Sequence, residues 1–338
     1  MTQTAPNPAA DGPVLEVRDL AVEFPSHRGT VTPVRGVSFT LARRQRLGIV
    51  GESGAGKSLT ALALMRLLPF PGRVVGGEVR LGGRDLMRLS EREMAAVRGG
   101  RMALVYQDPM SSLNPVHSVG RQIVEAIRAH EDVSRRVARA RAVELLGDVG
   151  LSSPARRFES YPHQFSGGMR QRVMIAMAIS AGPDVLIADE PTTALDVTTQ
   201  ARIIDVLSRL VDERDMAVLL ITHDLGLAAS FCEDVHVMYA GRIVEQSPAE
   251  PLFARPVHPY TEALLNAICR LDHDVDRPIA AIPGQPPLPQ HLPDGCPFHP
   301  RCPHAIAVCS REVPDLHVLA DGRTAECHLA EARAVAAA

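Results

Sequence analysis

RLGIVGESGAGKSLTALALMRLL, residues 46 to 68, constrains this chain more than any other stretch. A short apolar run, RLGIV, reads as a buried strand, and it opens into the glycine-rich turn GESGAGKS, Gly51 to Ser58. LTALALMRLL then reads as a buried helix, so the turn matches G-x-x-x-x-G-K-[ST] in the strand, turn and helix context that the motif requires. Backbone N–H groups along Gly51, Glu52, Ser53, Gly54, Ala55 and Gly56 are expected to curl around phosphate oxygens. Lys57, Ser58, Leu59 and Thr60 open a helix whose N-terminal dipole favours the same anion. Lys57 would neutralise the β- and γ-phosphates, and the Ser58 hydroxyl would ligate Mg²⁺. Lys57 is also the only lysine in the sequence. Every other basic position is arginine or histidine, and an arginine's planar fork does not replace a compact ammonium inside such a loop.

The other bounds are broad. With 338 residues the chain has room for one large domain plus an appendage, or for two domains. A formal charge of −3 and no long basic run give no electrostatic footprint for nucleic acid or an anionic membrane surface. MTQTAPNPAADGP, residues 1 to 13, reads as a disordered tail without a signal-peptide pattern, and the longest apolar runs are too short for a membrane span. A soluble, cytosolic chain is expected.

VLEVRDLAVEF and VRGVSFTL alternate as exposed-face strands, which predicts an antiparallel β layer beside a parallel core. RMALVYQ (101 to 107) reads as a strand and 120 to 150 as helical. DVLIADE (184 to 190) and MAVLLITHD (216 to 224) read as fully buried parallel strands separated by a helix, which predicts a right-handed βαβ unit. A helix around 258 to 270 closes this region. RPIAAIPGQPPLPQHLPDG (277 to 295) is a proline-dense linker or irregular extension. The predicted fold class is therefore α/β.

Several further motifs carry chemistry. DVLIADE places Asp189 and Glu190 at the C-terminal end of a strand, where α/β sheets bind ligands. Asp189 suits a Mg²⁺ contact, and Glu190 suits polarisation of an attacking water. His223, in ITHD, is a candidate γ-phosphate contact, and Gln107, in VYQDP, a candidate for Mg²⁺ or water. FSGGMRQR contributes Ser166, Gly167, Gly168 and Met169 at the start of an apolar helix, a second anion-binding N-terminus. One nucleotide does not need two cradles. The excess is explained if the Ser-Gly-Gly of one subunit covers the γ-phosphate held by the other subunit's loop.

In this order and spacing, GESGAGKS, Gln107, FSGGM, LIADE, ALD (194 to 196) and His223 resemble the ATP-binding-cassette ATPases, over roughly residues 14 to 270. The resemblance implies a P-loop ATPase with a parallel core sheet, an antiparallel β subdomain and a helical subdomain at about 108 to 180. It assigns Asp196 to the D-loop and Phe24 to stacking on adenine. The signature begins with Phe165 where the family has leucine, and its Ser-Gly-Gly is intact. YQDPMSSLNPVHSVGRQI, YPHQFSGGMRQRVMIAMAI, HPYTEALLNAI and GCPFHPRCP narrow the resemblance to the ATPase subunits of oligopeptide and dipeptide importers, whose relatives handle nickel and glutathione.

That resemblance implies ATP and Mg²⁺ as cofactors. It implies a second ATPase subunit, a paralogue, two membrane-spanning permease subunits and an extracytoplasmic substrate-binding protein as partners. ATP would close a head-to-tail dimer on the cytoplasmic face of the membrane, and closure would move the groove near Gln107 where a permease docks. Two other readings stand beside it: a non-transport cassette ATPase, whose usual coiled coil or basic surface is not visible, and a non-hydrolysing regulatory subunit, against which the presence of Glu190 and His223 speaks.

Six cysteines remain. Cys232 and Cys269 stand singly in apolar contexts and read as small buried hydrophobes. Cys296, Cys302, Cys309 and Cys327 fall in a segment, 271 to 338, that looks too poor in apolar residues for a core of its own, so a metal centre is expected to staple it. Gaps of five, six and seventeen residues lack the close pair of structural zinc and suit an iron–sulfur cluster better, with zinc as the alternative. His299, His304 and His328 are possible substitute ligands. The importer resemblance also points to a [4Fe–4S] centre. The segment is expected to lie outside the ATPase machinery.

Overall fold

The computed structural model describes residues 12–26, 29–108, 112–193, 195–267 and 281–336. The expected tail up to residue 11, Cys269 and Ala194 of the ALD motif lie outside these residues. In chain order, β1 (Leu15–Ser26), β2 (Gly29–Leu41) and β3 (Arg46–Val50) lead to α1 (Lys57–Leu64), followed by β4 (Arg73–Leu81), β5 (Arg84–Asp85), α2 (Glu91–Val97) and β6 (Met102–Val105). Next come α3 (Val119–His130), α4 (Arg135–Asp148), α5 (Pro154–Arg157), α6 (Gly167–Ala178) and β7 (Val185–Asp189). After α7 (Val197–Arg214) the chain runs through β8 (Ala217–Thr222), α8 (Leu225–Phe231), β9 (Asp234–Tyr239), β10 (Arg242–Pro248), α9 (Ala249–Ala254) and α10 (Pro259–Asn266). The C-terminal segment adds β11 (Leu316–Val318), β12 (Thr324–Glu326) and α11 (Ala330–Ala336).

Contacts divide the chain into two compact units. Among the described residues, the first comprises those up to Glu16, Thr40–Gln45 and those from Glu78 to Leu219; the second comprises those from Val17 to Phe39, Arg46–Gly77 and those from Leu220 on.

In the first unit, β6 runs parallel to β7, with Met102 opposite Val185 and Val105 opposite Ala188. All five residues of β7 are buried, as expected for an apolar run inside a parallel sheet. The helical stretch expected at 120 to 150 is two helices, because Glu131 ends α3 and the Ser134 side chain caps α4 by accepting the Val137 N–H. Asp196 caps α7 in the same way by accepting from Thr199. Beyond α7 the chain enters β8, where the Ala217 N–H donates to the Asp184 carbonyl at 2.9 Å.

In the second unit, β3 lies parallel to β9, with Leu47 opposite Asp234 and Val50 opposite Val237. β9 pairs antiparallel with β10. The outer edge of β10 takes β12, with Glu245 opposite Ala325 and Gln246 opposite Thr324, and β12 takes β11. The C-terminal segment thus extends a sheet that begins with the strand before the glycine-rich loop. Val257, Leu319, Ala325, Cys327 and Ala330 form a buried apolar cluster, to which β12 contributes Ala325.

Candidate functional site

The glycine-rich loop sits in the second unit, between β3 and α1. Gly51, Gly54 and Gly56 all have positive φ, of 155°, 82° and 107°. A Cβ on Gly51 would fall 2.2 Å from the Met238 carbonyl oxygen, and one on Gly56 2.5 Å from that of Pro33, so both positions admit only glycine. Ser53 and Gly54 are exposed, Ala55 and Gly56 buried, and Ser58 and Leu59 half-buried. Lys57 is 5% exposed, and its ammonium donates to the Gly51 and Glu52 carbonyls at 2.8 and 3.1 Å. Thr60 is buried and its hydroxyl returns to the Gly56 carbonyl at 3.0 Å.

α1 differs from α3, α4 and α6 at its start. Serine side chains cap those three helices, whereas Gly56 brings no capping oxygen to the first N–H groups of α1. Those N–H groups, the helix dipole and the Lys57 ammonium fit the phosphates of a nucleotide. On the same unit, Phe24 is half-buried in β1 with its ring against Gly72, where a Cβ would fall 2.5 Å from Cζ. His223 is exposed just past the end of β8.

The first unit carries the acidic residues and the second glycine-rich element. Asp189 is 7% exposed at the end of β7, and Glu190 follows in the left-handed region with φ 47°. Side chains reach αL seldom and at a cost, so this backbone aims the carboxylate by tertiary constraint. Gln107 Nε2 donates to Glu190 Oε2 at 2.9 Å, and the Thr193 hydroxyl donates to the same oxygen at 2.9 Å. The sequence reading missed Thr193, which lies three residues beyond the acidic pair.

Ser166 is exposed and caps α6 by accepting the Met169 N–H at 3.4 Å. Gly167 is half-buried and Gly168 buried; a Cβ on Gly168 would lie 2.1 Å from Thr199 Cγ2, so α6 and α7 meet backbone to side chain. Met169 is half-buried. Phe165 is buried, with the Arg157 guanidinium 5.6 Å from its ring centroid. Asp196 accepts from the Thr199 N–H at 2.9 Å and from its hydroxyl at 2.8 Å, and these bonds hold its carboxyl below the usual range.

Known proteins resemble this chain in sequence and in fold. A family model described as ABC transporter matches residues 34–193, and one described as oligopeptide/dipeptide transporter, C-terminal region, matches residues 244–309. The dipeptide transport ATP-binding protein DppD of Escherichia coli is 48% identical over 93% of this chain and 96% of its own length. The oligopeptide transport ATP-binding protein OppD of Salmonella typhimurium is 49% identical over 96% of this chain and 95% of its own. The chain belongs to the oligopeptide/dipeptide ABC transporter family. A probable peptide ABC transporter ATP-binding protein, y4tR of Sinorhizobium fredii, is 51% identical over 95% of this chain and 96% of its own. Among solved structures, the dimeric bacterial ABC transporter cassette MJ0796 superposes with a TM-score of 0.63 at 25% identity, covering 70% of this chain and 98% of its own. The expected α/β P-loop ATPase fold is therefore the one found.

The four-cysteine centre is a correction. Among the described residues no group of three or more His, Cys, Asp or Glu side chains is placed to hold a metal ion, so Cys296, Cys302, Cys309 and Cys327 form neither an iron–sulfur nor a zinc site, and His299, His304 and His328 complete none. Burial pushes the Cys296 thiol up to about 11 and raises those of Cys302 and Cys327. Cys327 Sγ accepts the Leu329 N–H at 3.4 Å, and Cys309 uses its carbonyl to accept the Cys296 N–H at 2.8 Å. The premise of a core-poor extension also fails, because the segment has the apolar cluster around Cys327 and a buried Phe298 packed on Tyr239 and Tyr260. Cys232 is buried as expected, and burial pushes its thiol up to about 12.

Proposed function

We propose that this chain hydrolyses ATP to power the import of di- or oligopeptides through a membrane ABC transporter. The observation that carries hydrolysis is the Glu190 carboxylate, oriented by Gln107 and Thr193 at 2.9 Å each. A carboxylate held this way suits polarisation of the attacking water. The names of relatives near 50% identity over almost the whole chain support a peptide as the transported solute.

In this reading the loop and helix start from Gly51 to Thr60, with the Lys57 ammonium, cradle the triphosphate, and Phe24 supports the adenine. Ser58, Asp189 and Gln107 are the candidates to hold Mg²⁺, which when bound would neutralise charge on the phosphate oxygens. His223 contacts the γ-phosphate. Ser166 is exposed and so accessible to the nucleotide of a second ATPase subunit, with Gly167, Gly168 and Met169 beside it and Asp196 facing the same partner. No helix among the described residues is long and apolar enough to cross a membrane, so the chain is assigned to the cytoplasmic face through two permease subunits, served by an extracytoplasmic binding protein. Residues 14 to 270 are assigned to the ATPase, with the helical subdomain at about 108 to 180, and residues 271 to 338 to its C-terminal extension; residues 268 to 280 lie outside the described residues.

Purification from the native membrane, followed by reconstitution in vesicles, tests this reading. Permease subunits should accompany the chain, and ATP-dependent uptake should follow a labelled dipeptide or oligopeptide. Uptake of nickel or glutathione instead would move the solute, and ATP turnover without any membrane subunit would remove the transport reading.

A further inference from the structure

Glu52, the second residue of GESGAGKS, is held at three of its polar groups within the second unit. Its N–H donates to the Tyr260 hydroxyl at 2.9 Å, its carbonyl accepts from Lys57 at 3.1 Å, and its carboxylate receives the Arg301 guanidinium. The last contact is a fork: Arg301 Nη1 to Oε2 at 2.7 Å and Nη2 to Oε1 at 2.9 Å. Tyr260 belongs to α10, and Arg301 stands in the cysteine-containing C-terminal segment, 249 residues away from Glu52 in sequence.

The surroundings make this pair more than a surface ion bridge. The Arg301 side chain is 5% exposed. Its Nε donates to the Pro283 carbonyl at 2.9 Å, and Nη1 also reaches the Tyr239 hydroxyl at 3.3 Å. The guanidinium carbon stands 5.9 Å from the ring centroids of both Tyr239 and Phe298, and those rings are themselves buried with Tyr260. A cation so placed is costly unless its carboxylate partner is present, and a bidentate fork tolerates little displacement of that partner. Docking of the C-terminal segment and one conformation of the loop residue Glu52 are therefore satisfied together or not at all.

We propose that Arg301 is a positioning residue for the phosphate-binding loop, so that the C-terminal segment sets how much of the chain is competent to bind nucleotide. This places the segment within the ATPase machinery, contrary to the expectation from sequence. The proposal rests on the reading of Gly51 to Ser58 as the nucleotide loop. When only a fraction of molecules holds the competent loop, apparent affinity falls by that fraction.

The test is equilibrium binding of Mg-ATP to the full chain and to Arg301→Lys, Arg301→Gln, Glu52→Gln and the Glu52→Gln/Arg301→Gln double variant, with thermal unfolding of each in the absence of nucleotide. Arg301→Gln should raise Kd about tenfold, and Arg301→Lys should fall between it and the wild type because an ammonium cannot form the fork. The double variant should bind no more weakly than the poorer single one, since both remove one interaction. Wild-type Kd in Arg301→Lys and Glu52→Gln, even with lowered Tm, would make the pair purely structural and overturn the proposal, as would effects that multiply in the double variant. Lys57→Ala separates the two readings. If it abolishes binding while Arg301→Gln binds normally, the clamp alone is wrong; if it binds normally, the loop reading fails and the clamp with it.

Discussion

The side-chain amide of Gln107 donates to Glu190 at 2.9 Å, joining residues 83 apart in sequence at the C-terminal ends of the neighbouring strands β6 and β7. Thr193 donates to the same oxygen. Glu190→Gln keeps the size of the side chain and removes its basicity, so kcat for ATP should fall about hundredfold or more while Kd for ATP changes less than twofold. Single-turnover hydrolysis with a binding measurement on the same sample checks this, and an unchanged rate would take Glu190 out of the reaction.

Gly168→Ala should destabilise the chain by about 1–3 kcal/mol through overpacking, because the new Cβ would meet Thr199 Cγ2 at 2.1 Å. Thr199→Ser removes that methyl and keeps the hydroxyl that bonds Asp196. Combined with Gly168→Ala it should recover most of the loss in urea unfolding. Failure to recover would place the clash elsewhere.

Burial pushes His236 down to about 4 and His258 down to about 3, so both are neutral in the fold at pH 7. In the unfolded chain each titrates near 6.5. Above that value the two states bind the same protons; below it the unfolded state takes up protons that the folded state refuses until its own lower pKa. Stability should therefore fall as pH drops from about 6.5 toward 4, by about 1.4 kcal/mol per pH unit for each histidine. His236→Leu should remove one proton's worth of that slope in unfolding free energies measured between pH 6.5 and 4.5. An unaltered slope would show that His236 titrates normally.

Lys57 is the only lysine, and its amine is buried against the Gly51 and Glu52 carbonyls. Apart from the N-terminal amine, an amine-selective acylating reagent has one target in the chain. Modification of the peptide containing Lys57, followed by mass spectrometry, should slow about hundredfold at a Mg-ATP concentration 100 times Kd. Labelling that ignores nucleotide would contradict the phosphate contact.

The strand, turn and helix around Gly51 to Thr60 were legible because their signals are local: an apolar run, a glycine-rich turn that matches G-x-x-x-x-G-K-[ST], and an apolar helix. Asp189 and Glu190 were legible for the same reason, at the end of a buried β-branched strand. Thr193 was not, since a threonine in a turn has many uses and only the fold shows its hydroxyl at Glu190. The bond from Arg301 to Glu52 spans most of the chain, and no spacing rule reaches that far. The cysteines misled because a cluster in proline-rich sequence suggested a segment without a core. Phe298 fills space between Tyr239 and Tyr260, and Ala325 and Cys327 join Val257 from the body of the fold, so that core is assembled from residues distant in sequence.

The pairing of β12 with β10 carries a consequence for synthesis on the ribosome. β10 can join β9 once Pro248 has emerged, but the strand that takes its other edge ends at Glu326. At ribosomal elongation rates the intervening residues take on the order of 10 s to make. For that interval the outer edge of β10 at Glu245 and Gln246 presents unpaired backbone groups that could template pairing with another nascent chain. The last strand of the C-terminal segment ends that exposure, so ribosomes stalled within the segment would release chains prone to aggregate even though the nucleotide loop had long been translated.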